Sequence, residues 1–178
     1  MTKPIKVGFK RLTKDAIIPT KAHESDSGFD LYVNEDAIIR PNETKVISTG
    51  IAVQLPEGYE AQVRPRSGVT SKTKLRVQLG TIDNDYAGDI GIIVDNISEN
   101  RENRIPGYMG VDADYKLRRI DGSLSDLGTL NNDHVYEIRK GDRIAQLVVQ
   151  ELPKTEAVEV KDLSKTERGG KGFGSSGV

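Results

Sequence analysis

The chain has 178 residues, of which 35% are hydrophobic and 30% are charged, and its formal net charge is −1. This length is typical of one domain, and the balanced charge excludes a general attraction to nucleic acid or to anionic membranes. The absence of cysteine excludes disulfides, thiolate metal sites and a cysteine nucleophile, and two histidines far apart in sequence make a histidine-based metal site an unfavourable interpretation.

The amino-terminal segment, MTKPIKVGFK, has no apolar run of signal-peptide length, and no other run approaches the length of a membrane span. We therefore expect an intracellular, cytoplasmic protein that binds neither membranes nor nucleic acid. The hydrophobic content is modest for this length, which favours burial of further apolar surface between the subunits of an oligomer.

Short segments rich in valine and isoleucine follow one another along the chain, and Gly, Pro, Asn or Asp bounds each of them. In chain order they are IKVGFKRL, FDLYV, DAIIR, TKVISTGIAVQL, YEAQVRP, LRVQLGTI, GDIGIIVDNI, HVYEIRK and RIAQLVVQEL. No stretch has the apolar face of a long amphipathic helix, and GSLSDLGTL could form one helical turn at most. The pattern predicts a single all-β domain over residues 1–163, with the architecture of a sandwich, jelly roll or barrel.

Two regions depart from the strand pattern. Residues 99–133 are charged and rich in turn formers, and they are too long for an ordinary loop in a compact β domain, which indicates either an elaborated insertion or a mobile segment. Residues 164–178 form a glycine-rich tail that, on composition alone, is typical of a disordered chain end.

The segment PRSGVTSK, residues 65–72, combines turn formers with groups that suit an anion. Arg66 offers a planar fork of donors, Ser67 adds a hydroxyl, and Gly68 lets backbone N–H groups approach a phosphate closely. The same segment alone is also typical of a surface turn with a solvated arginine.

The segment GTIDNDYAGDIG, residues 80–91, is typical of a hairpin with Asn and Asp in its turn. Beyond what a turn requires, it places the acids Asp83, Asp85 and Asp89 around one aromatic residue, Tyr86. A carboxylate there could orient or deprotonate water, or could bind Mg²⁺, which prefers oxygen ligands. A plain hairpin remains the alternative.

The segment KGDRIAQLVV, residues 140–149, places Gln146 within an otherwise apolar strand. A strand amide with satisfied hydrogen bonds explains this residue without a functional role, so local evidence leaves its function open.

Five segments, in order, resemble the five motifs of the trimeric dUTPase family, the dUTP pyrophosphatases. They are SGFDLYV (27–33), PRSGVTSK (65–72), GTIDNDYAGDIGIIV (80–94), KGDRIAQLVV (140–149) and RGGKGFGSSG (168–177). The resemblance covers nearly the whole chain apart from residues 99–133. It implies a distorted jelly roll, a homotrimer whose active sites are shared between subunits, and a flexible carboxyl-terminal arm, residues 164–178, that closes over the site.

The resemblance also implies the reaction. Family members hydrolyse dUTP to dUMP and pyrophosphate, which limits uracil incorporation into DNA and supplies dUMP for thymidylate synthesis. Asp83 matches the residue that activates the water for in-line attack on the α-phosphorus, and Tyr86 matches the aromatic beneath the deoxyribose. Mg²⁺ is the implied cofactor, held mainly by triphosphate oxygens and water rather than directly by protein ligands.

Further contacts follow from the resemblance by position. The uracil edge is expected to meet the backbone of Gly80, Thr81, Ile82 and Asp83. The phosphates are expected to contact Arg66, Ser67, Gly68 and Gln146. The arm is expected to contribute Arg168, Gly174 and Ser175 to the phosphates and Phe173 to a stack on uracil. Asp30 and Asp85 are expected to orient other groups rather than to act as the base.

Two departures from the family pattern stand out. Lys171 occupies a position that is usually glycine, and residues 99–133 lengthen the connection between the third and fourth motifs. Insertions here occur in phage-encoded members, so a phage origin is an expectation; the insertion is either a lineage-specific decoration or a surface for a regulatory protein partner. A dCTP deaminase on the same fold is the alternative enzyme, although its own glutamate and third-motif sequence cannot be placed in this chain.

Overall fold

A computed structural model describes residues 4–99, 115–130, 134–166 and 169–170 of the chain. These ranges form thirteen strands and one short helix. The strands are β1 (Gly8–Arg11), β2 (Phe29–Tyr32), β3 (Ala37–Ile39), β4 (Thr44–Ser48), β5 (Ile51–Gln54), β6 (Tyr59–Pro65), β7 (Leu75–Val77), β8 (Gly80–Ile82), β9 (Gly91–Asn96), β10 (Tyr115–Arg119), β11 (Leu124–Leu130), β12 (Val135–Ile138) and β13 (Arg143–Glu151), and the helix is α1 (Ser67–Lys72). The all-β prediction is confirmed. No helix within the described ranges is long and apolar enough to cross a membrane.

The strands form four sheets, with the orders β1-β5, β11-β10-β12-β3, β2-β13-β6-β8 and β4-β9-β7. Successive side chains along a strand point to opposite faces, which decides which of them face inward. In β9, Ile92 and Val94 are buried while Ile93 between them is exposed, and in β6 Ala61 and Val63 point into the interior. Strands from all four sheets contribute to one apolar cluster, together with Val69 of α1.

The predicted hairpin over residues 80–91 is wrong. The strand β8 pairs antiparallel with β6, whereas β9 pairs with β4 and β7, so the segment between them crosses from one sheet to another. The segment TKVISTGIAVQL likewise divides between two sheets, at Gly50, whose φ of 64° favours glycine. Turn-forming residues show where a strand ends, but the strand that it pairs with depends on residues far away in the sequence.

Part of the insertion is regular structure. The strand β10 pairs antiparallel with β11 and runs parallel to β12, so the two inserted strands extend the sheet that ends at β3. Leu117 of β10 is buried, and Gly122 turns the chain with a φ of 87°. The expectation of at most a helical turn in GSLSDLGTL is therefore wrong, because this segment contains β11, which sheet pairing stabilises against a weak local preference.

Candidate active site

A cleft of about 400 Å³ brings together residues from the first, second and fourth sequence motifs. Its lining residues are Ala22, Asp26, Ser27, Gly28, Asp30, Arg66, Ser67, Gly68 and Gln146. The four residues expected to contact phosphates, at positions 66, 67, 68 and 146, therefore lie around one cavity. They converge because β13 pairs with both β2 and β6.

Arg66 enters this cleft from the end of β6, directly before α1, and two neighbours fix its side chain. Its Nε lies 2.8 Å from Oδ1 of Asp30, and its Nη1 donates a hydrogen bond of 2.8 Å to the backbone carbonyl of Arg143. The other carboxylate oxygen of Asp30 accepts a hydrogen bond of 2.9 Å from Nη1 of Arg143. The Asp30 side chain is only 13% exposed, so this geometry suits an orienting carboxylate better than a base that meets water.

The helix α1 was not predicted, since six residues with only one buried position, Val69, give no helical period to detect. Ser67 and Gly68 in its first turn are exposed, and a β-carbon at position 68 would meet no atom within 4 Å. Ser67 and Gly68 therefore leave room beside Arg66 for a bound anion.

Gln146 reaches the cleft from the middle of β13. Its Nε2 donates a hydrogen bond of 3.0 Å to the carbonyl of Pro65, the residue before Arg66. Gly28 packs against the same amide, because a β-carbon at position 28 would lie 2.9 Å from Oε1 of Gln146. Gly28 is thus a site residue that the sequence motif contains but that no local pattern singles out.

The second predicted group lies on the exposed turn after β8. Asp83 follows the strand directly, and its carbonyl accepts a hydrogen bond of 3.1 Å from the N–H of Tyr86. The Tyr86 ring is 46% exposed, and its hydroxyl donates to the carbonyl of Asp89 at 2.8 Å. An exposed carboxylate and an exposed ring on one turn fit a role against a ligand better than a role in the core.

Asp89 does not join this group, although the sequence places it beside Tyr86. Its carboxylate accepts hydrogen bonds from the hydroxyl of Ser48 at 2.5 Å, from the N–H of Ile51 at 3.2 Å and from the hydroxyl of Thr49 at 3.3 Å. Asp89 therefore fixes the corner between β4 and β5. Its contacts are more than 35 residues away in sequence, so local spacing without the family resemblance could not distinguish it from Asp83.

Asn84 anchors the turn from the side. Its Nδ2 donates to the carbonyl of Pro56 at 2.6 Å, with the carbonyls of Leu55 and Tyr59 at 3.3 and 3.4 Å. The carbonyls of residues 55 and 56 belong to the β5–β6 connection and that of residue 59 to the start of β6, so Asn84 holds the Asp83–Tyr86 turn against a neighbouring element. Only the general preference of asparagine for turns signals this residue in the sequence.

The cleft and the Asp83 turn lie towards opposite ends of β6 within one chain. In the β6–β8 register, Gly80 faces Val63 and Ile82 faces Ala61, so Asp83 continues away from Arg66. Asp83 falls opposite position 60, and the six-residue offset along β6 corresponds to about 20 Å. Thr81 is exposed and the Ile82 side chain is buried. The four arm residues Arg168, Phe173, Gly174 and Ser175 lie outside the described residues.

This arrangement belongs to a recognisable class. A cleft with an arginine suits a phosphorylated ligand, and an exposed aspartate can accept a proton from water, so the all-β domain has the groups that a hydrolase of phosphate compounds requires. A profile of the dUTPase family matches residues 14–104 and 128–177. The chain belongs to the dUTPase family.

Individual relatives match over nearly their whole length. A deoxyuridine 5'-triphosphate nucleotidohydrolase from Hydrogenobaculum sp. is 40% identical over 177 residues, which cover 98% of this chain and 99% of the relative. The dUTPase of Staphylococcus bacteriophage 80alpha with dUPNHPP is 39% identical, with a TM-score of 0.85 and coverage of 97% and 99%. A point mutant of the dUTPase from phage phi11 of S. aureus, described with a structural Mg(II) ion, is 30% identical, with a TM-score of 0.78 and coverage of 88% and 97%. Similar chains therefore occur in both bacteria and phages.

Proposed function

We propose that this protein is a dUTP diphosphatase that hydrolyses dUTP to dUMP and pyrophosphate. The observation that carries the proposal is the pairing of an arginine-containing cleft with an exposed aspartate–tyrosine turn in a chain of the dUTPase family. In the reaction, a water oxygen forms a bond to the α-phosphorus while the bond from that phosphorus to the bridging oxygen breaks. Pyrophosphate leaves, and the proton of the water passes to a carboxylate.

The cleft is assigned to the phosphates. A triphosphate is strongly anionic, and the guanidinium of Arg66 offers it two-point hydrogen bonds that a lysine could not match. The Ser67 hydroxyl, the backbone at Gly68 and the Gln146 amide line the same cavity and supply neutral donors. From the arm, Arg168, Gly174 and Ser175 are proposed to complete these contacts.

The turn is assigned to the nucleoside and to the base. Asp83 is exposed at the end of β8, where its carboxylate can orient a water and accept its proton. Tyr86 beneath the deoxyribose would leave no space for a 2′-hydroxyl, and the backbone from Gly80 to Ile82 would pair with the uracil edge. Phe173 of the arm is proposed to cover the base from the other side, and Asp85 to orient neighbouring groups.

Mg²⁺ is the proposed cofactor. No group of three or more His, Asp or Glu residues in the described ranges lies close enough to form a metal cage. Triphosphate oxygens and water are proposed to supply most of its ligands, because Mg²⁺ is a hard cation that prefers oxygen donors and keeps several waters. When bound with the nucleotide, the ion neutralises negative charge on the phosphates during attack.

The proposed assembly is a trimer with shared active sites. Because Arg66 and Asp83 lie about 20 Å apart along β6, one chain cannot place both groups on the same triphosphate. A second copy that brings its Asp83 turn to the first copy's cleft solves this problem. A regulatory protein partner is proposed for residues 99–133, of which the described strands β10 and β11 extend a sheet outward. The 80alpha relative is one of the phage dUTPases said to control transfer of virulence genes.

The decisive experiment measures pyrophosphate release from dUTP, dCTP, dTTP and UTP with Mg²⁺. We expect rapid release from dUTP and little from the other three. Cytosine presents the wrong donors to the backbone that pairs with the uracil edge, the methyl group of thymine would collide with that close backbone, and the 2′-hydroxyl of UTP would collide with Tyr86. Comparable turnover of all four would contradict the proposed specificity. Ammonia release from dCTP would instead favour the deaminase alternative.

A further inference from the structure

Arg143, the first residue of β13, contacts two residues of the cleft with two different groups. Its guanidinium donates to Oδ2 of Asp30 at 2.9 Å, and its backbone carbonyl accepts from Nη1 of Arg66 at 2.8 Å. The contact between Nε of Arg66 and Oδ1 of Asp30, at 2.8 Å, closes a ring of three residues. We call Asp30, Arg66 and Arg143 the Asp30 ring.

The charge of the Asp30 ring depends on Arg143. If Asp30 paired with Arg66 alone, the carboxylate would cancel the positive charge that a polyphosphate requires. The second guanidinium gives the ring two positive charges and one negative charge, so the ring keeps a net positive charge beside the cleft. The Asp30 side chain is only 13% exposed, so solvent screens these interactions less than it would at the surface.

The ring also sets the direction of Arg66. A planar guanidinium fixed at both Nε and Nη1 cannot rotate freely about its last bonds. Both fixed points depend on Arg143, directly through its carbonyl and indirectly through the carboxylate that it holds. A side chain that is already ordered loses less conformational entropy when it binds phosphate.

We propose that Arg143 is a positioning residue for the substrate phosphates, acting through Asp30 and Arg66 rather than by touching the nucleotide. The inference rests on the proposed function, since it presumes that the cleft binds phosphates. Asp30 and Arg66 line the cleft, whereas Arg143 is not among the described residues that line it. Its side chain lies partly exposed at 46%, which leaves room for substitution without a cavity in the core.

The first test compares steady-state kinetics on dUTP for Arg143→Gln, Arg143→Lys and a control, Arg64→Gln. Arg64 lies two residues from Arg66 and hydrogen-bonds Gln62, so its loss removes the same charge without touching the Asp30 ring. We expect kcat/KM to fall at least about tenfold for Arg143→Gln, chiefly through KM, because a charge-assisted bond is lost. The lysine variant should recover part of this loss, and the control should stay within about twofold.

The second test is a double-mutant cycle with Arg66→Gln, read by the affinity for inorganic tripolyphosphate because Arg66→Gln is itself expected to be nearly inactive. If Arg143 acts through Arg66, the effect of Arg143→Gln should shrink to about twofold or less when Arg66 is already absent. An undiminished effect in that background would overturn the proposal, as would wild-type kinetics of Arg143→Gln. If circular dichroism shows that Arg143→Gln does not fold, the same cycle is measured with Arg143→Lys.

The affinity for inorganic tripolyphosphate, measured by calorimetry, separates this inference from the proposed activity. Arg143→Gln should weaken that affinity at least about tenfold even if the wild-type protein did not hydrolyse dUTP. If the wild-type protein does not hydrolyse dUTP but Arg143→Gln still weakens tripolyphosphate binding, the proposed function is contradicted and the positioning role of Arg143 is supported. Equal affinity in wild type and variant would contradict the ring.

Discussion

Gly88 lies directly against the hydroxyl of Tyr86. A β-carbon at position 88 would fall 2.5 Å from Oη and 2.7 Å from Cζ of that ring, both far inside van der Waals contact. The same hydroxyl donates to the carbonyl of Asp89 at 2.8 Å, so the ring is folded back onto its own turn. The position of Tyr86 therefore depends on the absence of a side chain two residues later.

The first prediction is that Gly88→Ala displaces the Tyr86 ring. Because the ring is proposed to lie beneath the deoxyribose, kcat/KM for dUTP should fall roughly ten- to hundredfold. The ratio of dUTP to UTP turnover should fall as well, since a displaced ring no longer blocks a 2′-hydroxyl. Both nucleotides are assayed side by side, with Ala87→Ser as a control that adds one atom to an exposed position of the same turn. An unchanged dUTP/UTP ratio in Gly88→Ala would contradict the assigned role of Tyr86.

The second prediction concerns the proposed base. Asp83→Asn keeps the shape of the side chain but removes its ability to accept a proton, so kcat should fall by at least about a hundredfold. Binding of dUPNHPP, measured by calorimetry, should change little because the neutral amide adds no repulsion. Asp85→Asn, on the same turn, is the matched control and should lose less activity. Equal losses in both variants would leave Asp83 without a distinct role.

The third prediction links Glu137 to stability at acidic pH. Its side chain is 7% exposed, and its carboxylate accepts hydrogen bonds from Nε of Arg139 at 2.7 Å and from the hydroxyl of Ser125 on the inserted strand β11. The hydrogen bond from Arg139 is the main cause that holds the pKa of Glu137 below its usual value of 4.5, with the bond from Ser125 acting in the same direction. A lowered pKa in the folded state means that the charged form stabilises the fold.

That stabilisation is complete above the pKa of the unfolded chain and is lost as pH falls from about 4.5 through the lower folded value. Glu137→Gln should therefore reduce the free energy of unfolding at pH 7 by about 1–3 kcal/mol. The difference between wild type and variant should narrow as the pH is lowered below about 4.5, and urea unfolding at several pH values measures it. A difference that stays constant over this range would show that the carboxylate charge is not responsible.

The sequence predicts the strands well where burial imposes alternation. In β6 the buried Ala61 and Val63 are separated by the polar Gln62, because one face of the strand lies in the core, and the sequence shows this alternation. The pairing of β8 with β6 and of β9 with β4 depends on residues far away along the chain, so the hairpin expected from turn formers was wrong. The strands β10 and β11 escaped detection because their segment is dominated by charges and turn formers. Pairing with β12 stabilises β10, and pairing with β10 stabilises β11.

The candidate site was likewise predictable from the sequence only in part. The resemblance to a family supplied Arg66, Asp83 and Tyr86, since motif residues are recognisable without a structure. The contacts of Asn84 with residues 55, 56 and 59 and of Arg143 with Asp30 span 25 to 113 residues in sequence. Such long-range contacts leave no periodicity or spacing to read, so only the fold reveals them.

The fourth prediction uses the separation of Arg66 and Asp83 along β6. Arg66→Gln and Asp83→Asn should each be nearly inactive as a pure assembly, because every active site lacks one essential group. If each site takes Arg66 from one copy and Asp83 from another, some sites in mixed trimers contain both wild-type residues. Equal amounts, unfolded together and refolded, should recover about one quarter of wild-type activity, since a quarter of the sites in a cyclic trimer have this combination at random.

The control for this mixing experiment is a double variant, Arg66→Gln with Asp83→Asn, refolded with an inactive partner of either kind. No site can then contain both wild-type residues, and activity should stay at background. Subunit composition is followed by native mass spectrometry with one variant labelled by nitrogen-15. Mixed trimers that form yet show no recovered activity would mean that both groups serve the same chain's site. Because β6 separates Arg66 from Asp83 by about 20 Å, that outcome would require the Asp83 turn to move a long way within one subunit.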